Sequence, residues 1–285
     1  MRILDHIIIR DHRTLLFRFW FIYSGRVGFF IALFILTAVS IGPVIIHSDP
    51  NAIDLQSKLL PPSSHHLFGT DQLGRDQFMR ILIGGRQSLG AALLVMASVL
   101  VIALFLGITA GMLGGFVDIF LMRLVDVLLA LPSLIITLAI IGALGVGFQN
   151  MLIAIIISSW AYYARLTRSY VVACMHRYDI VADRLAGIGW WRIVTGHILP
   201  GVFTQLLIIA TLHLGGIIIQ IAGLSFLGLG LQPPQAEWGA MLSDSRLYFV
   251  KMPWLIAAPS LAIFLSVAAS NLIGNALHRA TDIKT

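Results

Sequence analysis

Near the end of the chain, two long apolar runs carry polar side chains at helical spacing. His213 and Gln220 stand seven residues apart with Gly215 and Gly216 between them, and Ser266, Ser270 and Asn271 recur in the next run, with Asn275 beyond. Seven residues is two helical turns, so His213 and Gln220 share one face. Polar groups in hydrocarbon need partners or water. Two such faces suit the lining of a path for a polar solute; ordinary interhelical hydrogen bonding accounts for the same residues equally well. The chemistry on offer is hydrogen bonding and solitary imidazole ligation, not bond making. The sequence holds no HExxH, no GxSxG and no GxxxxGKS/T phosphate loop. Any nucleotide that drives this protein must therefore bind another chain, and no cofactor or metal is expected on this one.

Other ionisable residues cluster between apolar runs. Asp71, Arg75 and Asp76 lie together in GTDQLGRD, where a local ion-pair network or a solvated loop both fit. The adjacent His65 and His66 lack carboxylate or thiolate company and make a weak metal site. Arg123 and Asp126 are three apart on one predicted helix and are expected to pair with each other. Glu237 is the sole glutamate and precedes Trp238; Trp238 and Trp254 suit an aromatic belt at the outer membrane surface.

The elements that position these residues follow from composition. The 285 residues are 58% hydrophobic and 11% charged, far from the roughly 25% charge of soluble domains. This is an all-α polytopic membrane protein. The basic residues recur in short segments between apolar runs instead of gathering on one surface, so the high isoelectric point reflects membrane topology and no nucleic-acid partner is expected. A single cysteine, Cys174, excludes an internal disulfide. About 20 apolar residues cross the bilayer, and six spans are expected at roughly 25–46, 88–111, 119–142, 150–167, 201–224 and 253–277. Residues 1–24 suit a helix along the inner interface, with no small-residue cleavage site after the first run, so that run is expected to remain as a span. Residues 47–87 form an outer segment, 88–277 a five-helix core and 278–285 a tail. With both termini cytoplasmic, thirteen Lys and Arg fall inside and six outside, the bias expected of membrane proteins.

Residues 178–201 then form a charged, glycine-punctuated cytoplasmic island. Asp179–Ala186 and Trp190–Leu199 are each predicted as a short amphipathic helix, Gly187-Ile188-Gly189 as the bend between them, and Pro200 as the stop. Helix–bend–helix at a membrane surface suits docking by a soluble partner; a long solvated loop is the plainer alternative.

In that island Gly187 is followed thirteen residues later by the proline of Ile198-Leu199-Pro200, ahead of the penultimate span. This resembles the coupling loop of ATP-binding-cassette importer permeases. The outer segments agree: Gly69-Thr70-Asp71 with Leu73-Gly74-Arg75-Asp76, and Ser225-Phe226-Leu227-Gly228-Leu229-Gly230 followed by Ala236-Glu237-Trp238-Gly239. Together they resemble the C-type subunits of the dipeptide/oligopeptide/nickel branch. Asn51–Leu55, WAYYARLTR from Trp160 and Arg184-Leu185-Ala186-Gly187 are similar to the nickel-uptake permeases within it. Where the family's loop usually reads E-A-A, this chain has Val181-Ala182-Asp183, so the role of that glutamate cannot be carried over; Asp183 or Arg184 stands nearest to it.

The resemblance implies an inner-membrane permease subunit working with a second homologous permease, two cytoplasmic ATPase subunits that bind the ATP, and an extracytoplasmic binding protein. It implies coupling through Asp183, Arg184, Gly187, Ile188, Trp190 and Trp191, and binding-protein docking around Asp71, Arg75, Asp76, Glu237 and Trp238. The path residues would be His213, Gln220, Ser266 and Asn271. Naked nickel favours His, Cys or carboxylate ligands, and His213 stands almost alone at depth, so a nickel chelate or a dipeptide fits this path better. The expected cargo is nickel or a nickel chelate. Rival readings are a peptide or opine-metallophore permease, a passive channel without ATPases, and an intramembrane enzyme, for which no acid/base or nucleophile constellation exists.

Overall fold

The computed structural model describes residues 19–46 and 49–281. The expected interfacial helix lies, up to Arg18, outside the described residues, as do His47, Ser48 and the last four residues of the tail. All regular elements among the described residues are helical, apart from one isolated bridge between Thr70 and Asp76. In chain order the helices are α1 (Tyr23–Ile46), α2 (Gln77–Leu113), α3 (Gly115–Ala130), α4 (Ser133–Leu144), α5 (Phe148–Met175), α6 (Tyr178–Leu185), α7 (Trp190–Ile193), α8 (Leu199–Phe226), α9 (Trp238–Ser245) and α10 (Trp254–Thr281). Short 3-10 turns cover Leu55–Ser57 and Arg246–Tyr248, and a π turn at Val194–Ile198 joins α7 to α8.

By length and composition, four helices among the described residues can cross a membrane: α1, α2, the continuous stretch Trp190–Phe226, and α10. A fifth crossing arises if α3 and α4 are taken as one broken span, bent by 94°. The sequence predicts a single helix over 119–142, and the structure breaks it. Pro132 lacks the N–H that would continue the ladder and pushes Leu131 into extended backbone (φ −106°, ψ 144°). Pro200, expected as a stop, is instead carried inside a continuous helix. The π turn just before it absorbs the missing donor, Leu199 N–H bonding Val194 O. α2 begins at Gln77 and so takes in eleven residues expected in the outer loop. Its 37 residues make about 55 Å of helix at ~1.5 Å per residue, well beyond the ~30 Å of hydrocarbon.

The chain divides into two compact units, one from the described residues of Met1–Ala92 with Thr211–Thr285, the other Leu93–Ala210. In the first unit, α1 and α10 run antiparallel in close contact. A Cβ at Gly28 would come within 2.7 Å of the Leu272 Cβ, so only glycine permits this approach. Pro43 leaves the Val39 carbonyl without its intrahelical donor. Arg86 Nε donates to it at 2.9 Å, and Arg86 also reaches Ser40 O. The unit's core gathers Ile35, Val39, Ile81, Ala236, Trp238 and Met241, with the Trp238 indole donating to Ile81 O at 2.9 Å. In the second unit, the α4 and α5 hydroxyls of Thr137 and Ser158 meet at 2.8 Å in the interior. Arg168 on α5 forks onto Asp118 of α3 at 2.9 and 2.5 Å.

Candidate functional site

The island at 178–201 takes the helix–bend–helix form. Asp179 sits in the first turn of α6, where a negative charge meets the helix dipole. Partial burial pushes its carboxyl up, but the Arg177 guanidinium and the Ile180 N–H outweigh this and hold it below its ordinary value. At the other end Gly187 takes φ +78°, and Ile188 N–H reaches back to Asp183 O at 3.0 Å. One side of the island is buried: Ile180, Ile193 and Ile198 are all inaccessible to solvent. The opposite side is apolar yet exposed. Tyr178, Leu185 and Trp191 are each more than 80% exposed, and Trp190 is 45% exposed.

Two contacts hold the two halves of the island together. His197 Nε2 lies 3.0 Å from Asp183 Oδ2, and the Arg184 guanidinium lies over the Trp190 ring at 4.6 Å. Asp183, which stands nearest the missing glutamate, is therefore engaged within the island, and Ile188 is half-buried at the bend. Sequence reasoning passed over His197, because nothing local links it to a residue fourteen positions earlier. Leu185 and Tyr178 could have been found from the amphipathic pattern of α6.

The outer segments form a second cluster. Arg75 Nε donates to Asp71 Oδ2 at 2.6 Å with both side chains buried; Arg80 Nε is 3.6 Å from the same carboxylate and Arg75 is 3.8 Å from Asp244. Arg80 also donates to Pro234 O at 3.1 Å, tying the first outer segment to the second. Burial pushes the Asp244 carboxyl up from its ordinary value, against the pull of Arg75 and Arg80. Glu237 is fully buried: it accepts from Ser88 Oγ at 2.7 Å and from Ala240 N–H at 3.0 Å, capping α9. Four of the residues expected at the docking surface, Asp71, Arg75, Glu237 and Trp238, lie in the interior of this chain. All four are buried, so they shape the outer segments and present no surface themselves. Asp76 lies outside the network and meets His66 Nδ1 at 2.8 Å.

Arg123 and Asp126 do not pair. Asp126 bonds Arg165 of α5, while Arg123 is exposed, with no ion-pair partner among the described residues. Neither His65 nor His66 belongs to a metal-holding group of three or more ligands among the described residues.

The path residues divide between seams and open faces. α8 meets α10 through Gly215, against Val267, and through Thr211, whose carbonyl accepts from Ser270 Oγ at 2.5 Å. At about 100° per residue, His213 and Gln220 lie roughly 140–160° around α8 from Gly215. Ser266 is buried, its hydroxyl donating to Ala262 O at 2.8 Å of its own helix, whereas Asn271 is exposed. The four residues therefore do not converge on one point within this chain.

A family model described as the inner membrane component of binding-protein-dependent transport systems matches residues 103–284. The chain belongs to this family. The permease is similar to the nickel transport system permease protein of Escherichia coli K12, 44% identical over 82% of this chain and 84% of the relative. It is similar to a probable D,D-dipeptide transport system permease protein of the same strain, at 39% over 89% of this chain and 85% of the relative. A di/tripeptide transport system permease protein of Pseudomonas aeruginosa is 40% identical over 90% of this chain and 87% of its own length. The permease is accordingly a multi-pass inner-membrane subunit of an ATP-binding-cassette importer.

Proposed function

We propose that this chain forms half of the translocation path of an ATP-driven importer for nickel or a nickel chelate. It crosses the membrane six times with both termini cytoplasmic, α5 and the bent α3–α4 pair each counting as one crossing. A second homologous permease completes the path. Two cytoplasmic ATPases bind and hydrolyse the ATP, so this chain holds no nucleotide, and an extracytoplasmic binding protein delivers cargo to the surface shaped by the Asp71–Arg75–Arg80 network. The observation that carries the reading is the exposed apolar surface of an island whose other side is anchored by buried Ile180, Ile193 and Ile198, a surface formed by Leu185, Trp190 and Trp191. Desolvated aromatic clusters dominate protein interfaces. Closure of the ATPases pushes on this surface, and the Asp183–His197 contact lets both halves move together. The push passes into α5 and α8 and switches the path between its two openings. Moving such an equilibrium from one state to the other takes about 5.5 kcal/mol of differential binding.

The cargo enters past His213, Gln220, Ser266 and Asn271, a set that suits a hydrogen-bonding chelate better than a bare ion. Support for nickel is the similarity to the nickel permease. A dipeptide importer is the second reading, because the peptide permease relatives follow at 39–40% identity with fuller coverage of this chain. The test is ATPase activity of the reconstituted complex with its binding protein, comparing nickel, nickel–histidine, a metallophore chelate and a dipeptide. Stimulation by a nickel species alone supports the cargo assignment; stimulation by the dipeptide alone replaces it. Failure of any ATPase chain to co-purify, with Trp191→Ala behaving as wild type, overturns the importer mechanism in favour of a passive channel.

A further inference from the structure

In the unit containing α1 and α10, the two helices meet closely at one end, where Gly25 and Gly28 face Ala276 and Leu272. Towards Ile46 and Trp254 a cavity of about 610 Å³ lies between them. Every residue lining it is apolar or aromatic. Such a cavity does not hold ordered water, which needs polar partners. Its walls lie on helices apolar enough to span a bilayer, so hydrocarbon is the solvent beside it.

Its dimensions match a lipid tail. Along α1 the lining runs from Phe34 to Ile46, about 18 Å, and along α10 from Trp254 to Leu265, about 16 Å, at ~1.5 Å per residue. One leaflet contributes about half of the ~30 Å hydrocarbon thickness. Phe34 and Leu261 line the cavity and are also exposed, which marks the flank open to the bilayer. At the far end, Pro62, Phe68 and Trp254 close it. An apolar channel of leaflet length, open on one flank to hydrocarbon, suits a lipid tail.

We propose that this cavity binds one acyl chain of a membrane phospholipid. In the orientation proposed above, the lipid comes from the outer leaflet. The bound tail fills the space between α1 and α10 that protein atoms leave empty.

The test places photoreactive benzoyl-phenylalanine at position 261 of the full chain in its native membrane, with phospholipids retained after detergent purification counted by native mass spectrometry. The expected result is a phospholipid adduct at position 261 and at least one retained phospholipid. Ala262→Phe, which narrows the cavity, removes one retained lipid and cuts the adduct at least tenfold. Ala258→Leu, a milder filling of the same cavity, lowers retention about threefold or more, which keeps the test decisive if Ala262→Phe folds poorly. A cross-link to a polypeptide instead of lipid overturns the proposal, as does equal lipid retention in wild type and both variants. Neither outcome depends on the transported cargo.

Discussion

Replacing Gly187 separates a rigid lever from a passive loop. Three backbone bonds close the end of α6 around this residue: Ala186 N–H to Ala182 O at 2.9 Å, Gly187 N–H to Arg184 O at 3.1 Å and Ile188 N–H to Asp183 O at 3.0 Å. The last two are the paired bonds of the Schellman motif, which requires the left-handed backbone that Gly187 adopts at φ +78°. A Cβ at this position would meet nothing within 4 Å. Gly187→Ala therefore costs only the conformation, about 1–2 kcal/mol, which shifts the local balance between bent and unbent island by a factor of roughly 5–30. Asn visits the left-handed region readily, so Gly187→Asn is expected to stay close to wild type. Gly187→Pro fixes φ near −65° and deletes the donor to Arg184 O, so the bend cannot form. The assay is cargo taken up per ATP hydrolysed in reconstituted vesicles. The expected order is wild type and Asn together, then Ala, then Pro with hydrolysis uncoupled from uptake. Normal coupling in Gly187→Pro refutes the lever, and Ala as damaging as Pro refutes the conformational account of this position.

Further outcomes follow from the buried charges. Asp71→Asn breaks a buried pair and is expected to cost about 3–5 kcal/mol, read as a lower melting temperature of the purified complex. Asp244→Asn is expected not to lower that temperature at pH 7. A carboxyl pushed up by burial binds its proton more tightly in the native state, so its stabilising contribution holds below the ordinary value of 3.8 and is lost as pH rises through the raised one; melting curves from pH 4 to pH 8 should show the asparagine variant lacking that loss. Glu237→Ala removes both the α9 cap and the charge-assisted bond from Ser88, for a cost of about 2–4 kcal/mol, checked by thermal unfolding. Asp183→Asn and His197→Ala are each expected to speed hydrogen exchange at Gly187 and Ile188, and the double variant to add nothing beyond either one.

Much of this molecule is written in local sequence. The membrane class, the apolar spans and the island follow from composition and run length, and Gly187 marks its bend because only a small set of residues tolerates positive φ. Each depends on neighbours along the chain. Local reasoning failed where it had to choose partners. Asp126 was matched with Arg123 by helical spacing, yet the adjacent helix offers Arg165, and a side chain pairs with whatever charge packing brings nearest. Glu237 reads as an outer loop acid and is fully buried, because the second outer segment folds back onto Ser88 of α2. The span expected over 119–142 reads straight through Pro132, whereas the chain turns by 94° there and α4 packs against α5. Pro200, the same residue type, sits inside a continuous helix because a π turn relieves it. Backbone preference and apolar periodicity act over one or two turns and are legible in sequence. Ion pairing, burial and the direction of a broken helix are set by contacts between residues far apart in the chain, and only the tertiary structure decides them.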